Sequence, residues 1–202
     1  MIPISNQIFQ STEGQDKDFG AYTTEVTQIG ILSVPSGEIV ACDPLVFPER
    51  EPFSLKVKPG QYPVYLNIVH FNPEHYRVAY AILRFNNNLP VRWEMATLHG
   101  QDVNTLKENE IFGYGVDAGT GCFMDVEAAK ILVGMEDGYD FYEQVIEPVY
   151  DDWADIPLNE DGLNVILFTS GWGDGFYASY WGFDKNGEVA CLVTDFAVLG
   201  EV

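Results

Sequence analysis

The sequence predicts a mainly β domain of the α+β class, with antiparallel, sandwich-like sheets and one or two helices inserted between residues 125 and 147. Three observations carry this expectation. Period-two apolar runs recur in both halves of the chain, clusters of Gly, Pro, Asn and Asp separate them at short intervals, and helical spacing is confined to one central stretch. The chain has 202 residues, 47% hydrophobic and 14% aromatic. That is single-domain length, enough to bury roughly 70% of the unfolded surface without a staple. The composition excludes disordered, collagen-like and coiled-coil classes.

Gly30–Val34 and Glu38–Cys42 flank Pro35, Ser36 and Gly37, whose turn chemistry predicts a hairpin. Tyr62 to Phe71 alternates but is apolar on both faces, as expected of a strand covered on both sides. Asn72 to His75 then turns the chain, and Tyr76 to Phe85 returns as the partner strand. Asn86 to Pro90 makes the next turn before a half-solvated strand, Val91–Leu98. Asp125 is a good N-cap for a helix over Val126–Val133, with Gly134 as its stop. A second helix is expected from about Asp137 to Glu147, ended by Pro148. Leu163–Thr169, Phe176–Phe183 and Glu188–Leu199 complete the strands, the last two joined by a turn over Asp184–Gly187.

The formal charge is −21, which disfavours binding to nucleic-acid phosphates or an anionic membrane through bulk electrostatics. Residues 1–107 carry 11 acids and 8 bases, whereas residues 108–202 carry 20 acids and 2 bases, so nearly all the excess lies in the second half. A solvated face accounts for such charge; the same face also suits a basic protein partner, with Glu143, Glu147, Asp151 and Asp152 as candidate contacts. The first residues hold no basic-then-apolar leader, and no window approaches the ~18 apolar residues of a membrane span. The cytoplasm is the expected location. Cys42, Cys122 and Cys191 are odd in number and widely spaced, which argues against a disulfide framework and against zinc pairs. Their apolar neighbours point to buried, reduced thiols.

Two glycine-rich segments stand out, Gly113 to Asp125 and Ser170 to Gly182. The first brackets Asp117 but lacks the Gly-Lys-Ser/Thr ending of a phosphate loop. The second brackets Asp174 and carries Trp172, Phe176, Tyr177, Tyr180 and Trp181. Three alternating glycines at 171, 173 and 175 suggest unusual torsions or close approach. This loop is the candidate binding site, with Asp174 exposed at its tip and Trp172 and Tyr177 beside it, and Asp117 of the first segment is a further candidate binding residue. Other templates fail: no G-x-S-x-G elbow is present, His70, His75 and His99 lack ligand spacing, and Asp151 to Gly162 lacks the glycine and glutamate of an EF-hand. Asp117, Asp125, Asp174 and Asp195 remain as a candidate set for a hard cation such as Ca²⁺ or Mg²⁺.

Pro35 to Leu45, Val91 to Met95, the two glycine-rich segments and Val193 to Phe196 resemble the bacterial family of domains of unknown function numbered four-two-four-one. The resemblance covers about residues 30–199. It implies one bacterial cytosolic domain, here 30–202, with residues 1–29 as a variable N-terminal arm, and it carries no catalytic residue. The functional expectation is a non-enzymatic acidic binding protein, an immunity-like or inhibitory module for a basic partner, without a cofactor. The alternative is a metal-assisted hydrolase using the loop aspartates.

Overall fold

A computed structural model describes residues 4–135 and 152–199. Among them the chain forms two antiparallel sheets and one α-helix, a mainly β architecture. The larger sheet is organised around β2 (Gly20–Val34) and β4 (Gly60–Asn72), the two long strands. β1 (Glu13–Asp16) borders β2, and β4 is followed by β5 (His75–Arg84) in the hairpin that the alternating pattern predicts. β12 (Val189–Asp195), β11 (Gly175–Phe183) and β6 (Arg92–Met95) continue the sheet beyond β5, and β7 (Tyr114–Val116) pairs with the start of β11.

The smaller sheet runs β3 (Ile39–Cys42), β8 (Thr120–Asp125), β10 (Asn164–Thr169), β9 (Trp153–Pro157). β3, β8 and β10 are buried on both faces, for a visible reason, while the edge strand β9 is largely half-exposed. Ile39, Ala41, Phe123, Ile166 and Phe168 enter the main core against the larger sheet. Val40, Cys42, Cys122, Met124, Val165 and Leu167 form a second core under α1 (Val126–Met135), which contributes Ala128, Ala129 and Leu132. Near-continuous apolar runs are what two covered faces require. Asn164 ties the sheets together: its amide donates to the Ile31 carbonyl at 2.9 Å and its oxygen accepts from the Ser33 amide at 2.9 Å.

Three expectations are corrected. Glu38–Cys42 does not fold back on Gly30–Val34; β2 pairs with β4 while β3 pairs with β8 in the other sheet. Pro35 to Gly37 is a corner, held because the Ser36 amide and hydroxyl both donate to Asp125 Oδ2. The strand expected over Val91–Leu98 shortens to Arg92–Met95, with its half-exposed alternation intact. Asp125 does cap α1, accepting from the Glu127 amide at 2.8 Å, but the helix runs through Gly134 to Met135. The second expected helix, 137–147, lies outside the described residues. Residues 13–29 form β1 and the first part of β2, hydrogen-bonded into the larger sheet, and Ile4 and Ile8 are buried in the main core.

Candidate functional site

The segment between β10 and β11, residues 170–174, is set by its backbone. Gly171 has φ +53°, and a Cβ there would stand 2.8 Å from Phe196 Cβ and from Val198 Cγ2. Gly173 has φ +103°. The loop is closed on itself: the Gly173 amide donates to the Ser170 carbonyl at 2.7 Å, and the Ser170 and Tyr177 hydroxyls both donate to the Gly173 carbonyl at 2.9 Å. Trp172 is thereby turned outward and is 45% exposed.

Its ring meets residues far away in sequence. Phe19 stacks on it at 5.4 Å, Phe71 lies at 6.1 Å and nearly parallel, and the Arg77 guanidinium sits 5.1 Å from its centroid. His75 packs on Phe19 and Phe71 at about 5 Å. Phe71, His75 and Arg77 surround the β4–β5 turn, while Phe19 projects from the β1–β2 turn. Asp16 Oδ1 shapes that turn by accepting the Phe19 and Asp18 amides, and these bonds hold its carboxyl below the usual aspartate value.

A second turn, 117–119, abuts the loop. The wholly buried Asp43 accepts the Asp117 and Ala118 amides on Oδ2, at 2.9 and 2.8 Å, and the Leu45 amide on Oδ1 at 3.0 Å. The Gly119 carbonyl then accepts the Ser170 amide at 3.0 Å. The two turns and the β4–β5 hairpin enclose a cleft of about 430 Å³, lined by Glu74, Tyr76, Arg77, Gly119, Asp152, Thr169 and the 170–173 backbone. Tyr76 donates its hydroxyl to Asp152 Oδ2 at 2.8 Å, which raises the phenol above its ordinary value. Glu74 and Asp152 line the cleft, and Asp117 and Asp174 are exposed on the two turns that meet there.

Trp172 and Asp174 therefore lie where the sequence suggested, and Asp152 joins them. Tyr177 does not: it is 7% exposed, and its hydroxyl braces the loop from inside. Glu143, Glu147 and Asp151 lie outside the described residues. Among the described residues the four aspartates read as a cation set do not form one group: Asp117 and Asp174 are exposed on the two adjoining turns, whereas Asp125 and Asp195 are each engaged elsewhere by backbone amides. Asp125 caps α1 and holds the Ser36 corner. Asp195, beside Tyr80 and Tyr180, accepts the Ala197 amide at 2.8 Å, and burial pushes its carboxyl up to about 6. Among the described residues no three His, Cys, Asp or Glu side chains are grouped to hold a metal ion. Asp43, Phe19, Tyr76 and Arg77 were not singled out from the sequence; the aromatic and charged density around Asn72 to His75 was the available signal.

Two outcomes follow. Gly171→Ala combines left-handed backbone, about 1–2 kcal/mol, with overpacking against Phe196 and Val198, about 1–3 kcal/mol; urea denaturation is expected to show a loss of both, and a neutral substitution would refute the packing described. For Asp195, an unfolded aspartate titrates near about 3.9, so between about pH 4 and the folded value of about 6 the folded chain holds the extra proton. The contribution of Asp195 to stability is then greatest below about pH 4 and is lost as pH rises through about 6. Asp195→Asn is expected to flatten that slope, by on the order of 2 kcal/mol, in urea denaturation at acid and neutral pH; an unchanged slope would contradict the assignment.

No helix among the described residues is long and apolar enough to cross a membrane. Comparison with curated proteins and with solved structures finds no match. The family model described as protein of unknown function (DUF4241) matches residues 32–194, spanning both glycine-rich turns and the strands that carry them, and the chain therefore belongs to the DUF4241 family.

Proposed function

We propose that the chain is a non-enzymatic binding module of an inhibitory or immunity-like kind, acting in the cytoplasm on a basic protein partner whose basic segment enters the cleft beside Tyr76 and Trp172. The observation that carries this is the charge of the cleft's surroundings: Glu74 and Asp152 line it and Asp117 and Asp174 are exposed on its bordering turns, four acids from separate segments, with Arg77 the one cation among the described lining residues. Arg77 already covers a face of Trp172, so an incoming lysine or arginine is attracted by the carboxylates rather than by that ring. Such complementarity acts mainly on association rate and partner choice. The internally bonded loop favours the same reading, since a site ordered in advance loses less conformational entropy on binding.

The test is a titration of ¹⁵N-labelled protein with a short Lys/Arg-rich peptide, with a Glu-rich peptide as control. Saturable shifts are expected at Gly119, at residues 169–173 and at the Trp172 indole, fading as salt shortens the Debye length from about 8 Å towards about 3 Å. Exposed charge pairs contribute ~0.2–1 kcal/mol each, so Glu74→Gln with Asp174→Asn is expected to weaken binding roughly two- to thirtyfold. Shifts scattered outside the cleft, or an equal response to the Glu-rich peptide, would refute the proposal.

A further inference from the structure

Cys42 and Cys122 stand directly opposite each other on β3 and β8, with their sulfurs 3.7 Å apart. Directly opposed residues of an antiparallel pair have Cα separations of roughly 4.5–5.5 Å, inside the ~4.4–6.8 Å span of disulfides. Both thiols are free and fully buried under α1. The third, Cys191, belongs to the other core, on β12. Position makes the pair informative. Cys42 ends the four-residue edge strand β3 and is followed by Asp43, whose carboxylate holds the Asp117 and Ala118 amides; Cys122 lies on the strand that leaves the same turn.

We propose that Cys42 and Cys122 form an oxidation-sensitive switch: a peroxide converts them to a β3–β8 disulfide that clamps the 117–119 side of the cleft. Burial pushes the Cys42 thiol well above its ordinary range, so the pair is inert while β3 is closed and reacts when that short edge strand opens. The thiolate of one cysteine attacks the peroxide O–O bond and becomes a sulfenic acid, releasing hydroxide, which takes up the thiol proton as water. The facing thiol then attacks the sulfenic sulfur, the S–S bond forms, and a second water leaves. Two thiols and one hydrogen peroxide thus give one disulfide and two waters, the sulfurs supplying the two electrons. The cross-link joins residues 80 positions apart, so it restricts the unfolded chain and fixes Asp43 against the turn it holds. The pairing stands independently of the basic-partner reading; only its effect on the cleft touches that site.

The experiment treats the full folded chain with dilute hydrogen peroxide and follows intact mass, peptide maps and amide hydrogen exchange. The expected product has lost two hydrogens, carries a reducible Cys42–Cys122 link, keeps Cys191 alkylatable, melts at higher temperature than the reduced form, and exchanges the Asp117 and Ala118 amides more slowly. Cys42→Ala and Cys122→Ala are each expected to abolish the link and retain the reduced exchange pattern. Accumulation of sulfinic acid without the link, oxidation of Cys191 ahead of the pair, or a link that leaves exchange at Asp117 and Ala118 unchanged would overturn the proposal.

Discussion

One buried carboxylate governs the geometry of the candidate site. Asp43 accepts three backbone amides, one from its own turn and two from a turn more than seventy residues later in the chain. Hydrogen bonds to a charged acceptor contribute about 1.5–3 kcal/mol each, so this set is a large fraction of the ~5–15 kcal/mol that stabilises a typical domain. The direct consequence is position. With the 117–119 turn fixed, the Gly119 carbonyl meets the Ser170 amide, and the glycine loop is seated against the base of the cleft. Gly171 can then follow the left-handed path that passes under Phe196 and Val198 and turns Trp172 outward.

The outward ring closes a second set of constraints. Aromatic pairs contribute roughly 0.5–1.5 kcal/mol beyond area burial, and Trp172 gathers Phe19 and Phe71 on this scale, with Arg77 over its ring. The β1–β2 turn, the β4–β5 hairpin and the glycine loop are thereby joined at one point, although they come from opposite ends of the sequence. Exposed apolar area at Phe19 and Trp172 is the cost of this joint. It leaves the cleft beside it with an ordered wall and an acidic rim, the combination on which the proposed recognition of a basic partner rests.

Local chemistry made part of this legible. The β4–β5 hairpin, the Asp184–Gly187 turn and the Asp125 cap each depend on residues within a few positions of one another, and each formed as the sequence implied. Pro35 to Gly37 shows the limit: turn residues report that the chain bends, while the choice of strand partner is decided by β4 and β8, dozens of residues away. The same holds at the site. Alternating glycines marked Trp172 and Asp174, but they did not reveal that Tyr177 faces inward and donates its hydroxyl to the Gly173 carbonyl. Asp43 and Phe19 were illegible because their partners are non-local, and the aspartate set divides because Asp125 and Asp195 are claimed by backbone amides away from the turns that carry Asp117 and Asp174.

Asp43 preorganises the cleft, and Asp43→Asn is the decisive substitution. An asparagine keeps the shape but offers one acceptor oxygen where the carboxylate uses both, and it points an NH₂ group at backbone N–H donors. Trp172 is not among the hydrogen-bond partners of the Asp43 carboxylate, so its indole ¹H–¹⁵N signal serves as a reporter beyond them. The substituted chain is expected to retain its sheets by circular dichroism while the Trp172 indole signal shifts and broadens and the amides of Asp117, Ala118 and Ser170 lose protection. A folded Asp43→Asn protein with an unaltered Trp172 signal and full protection at those amides would contradict that role of Asp43.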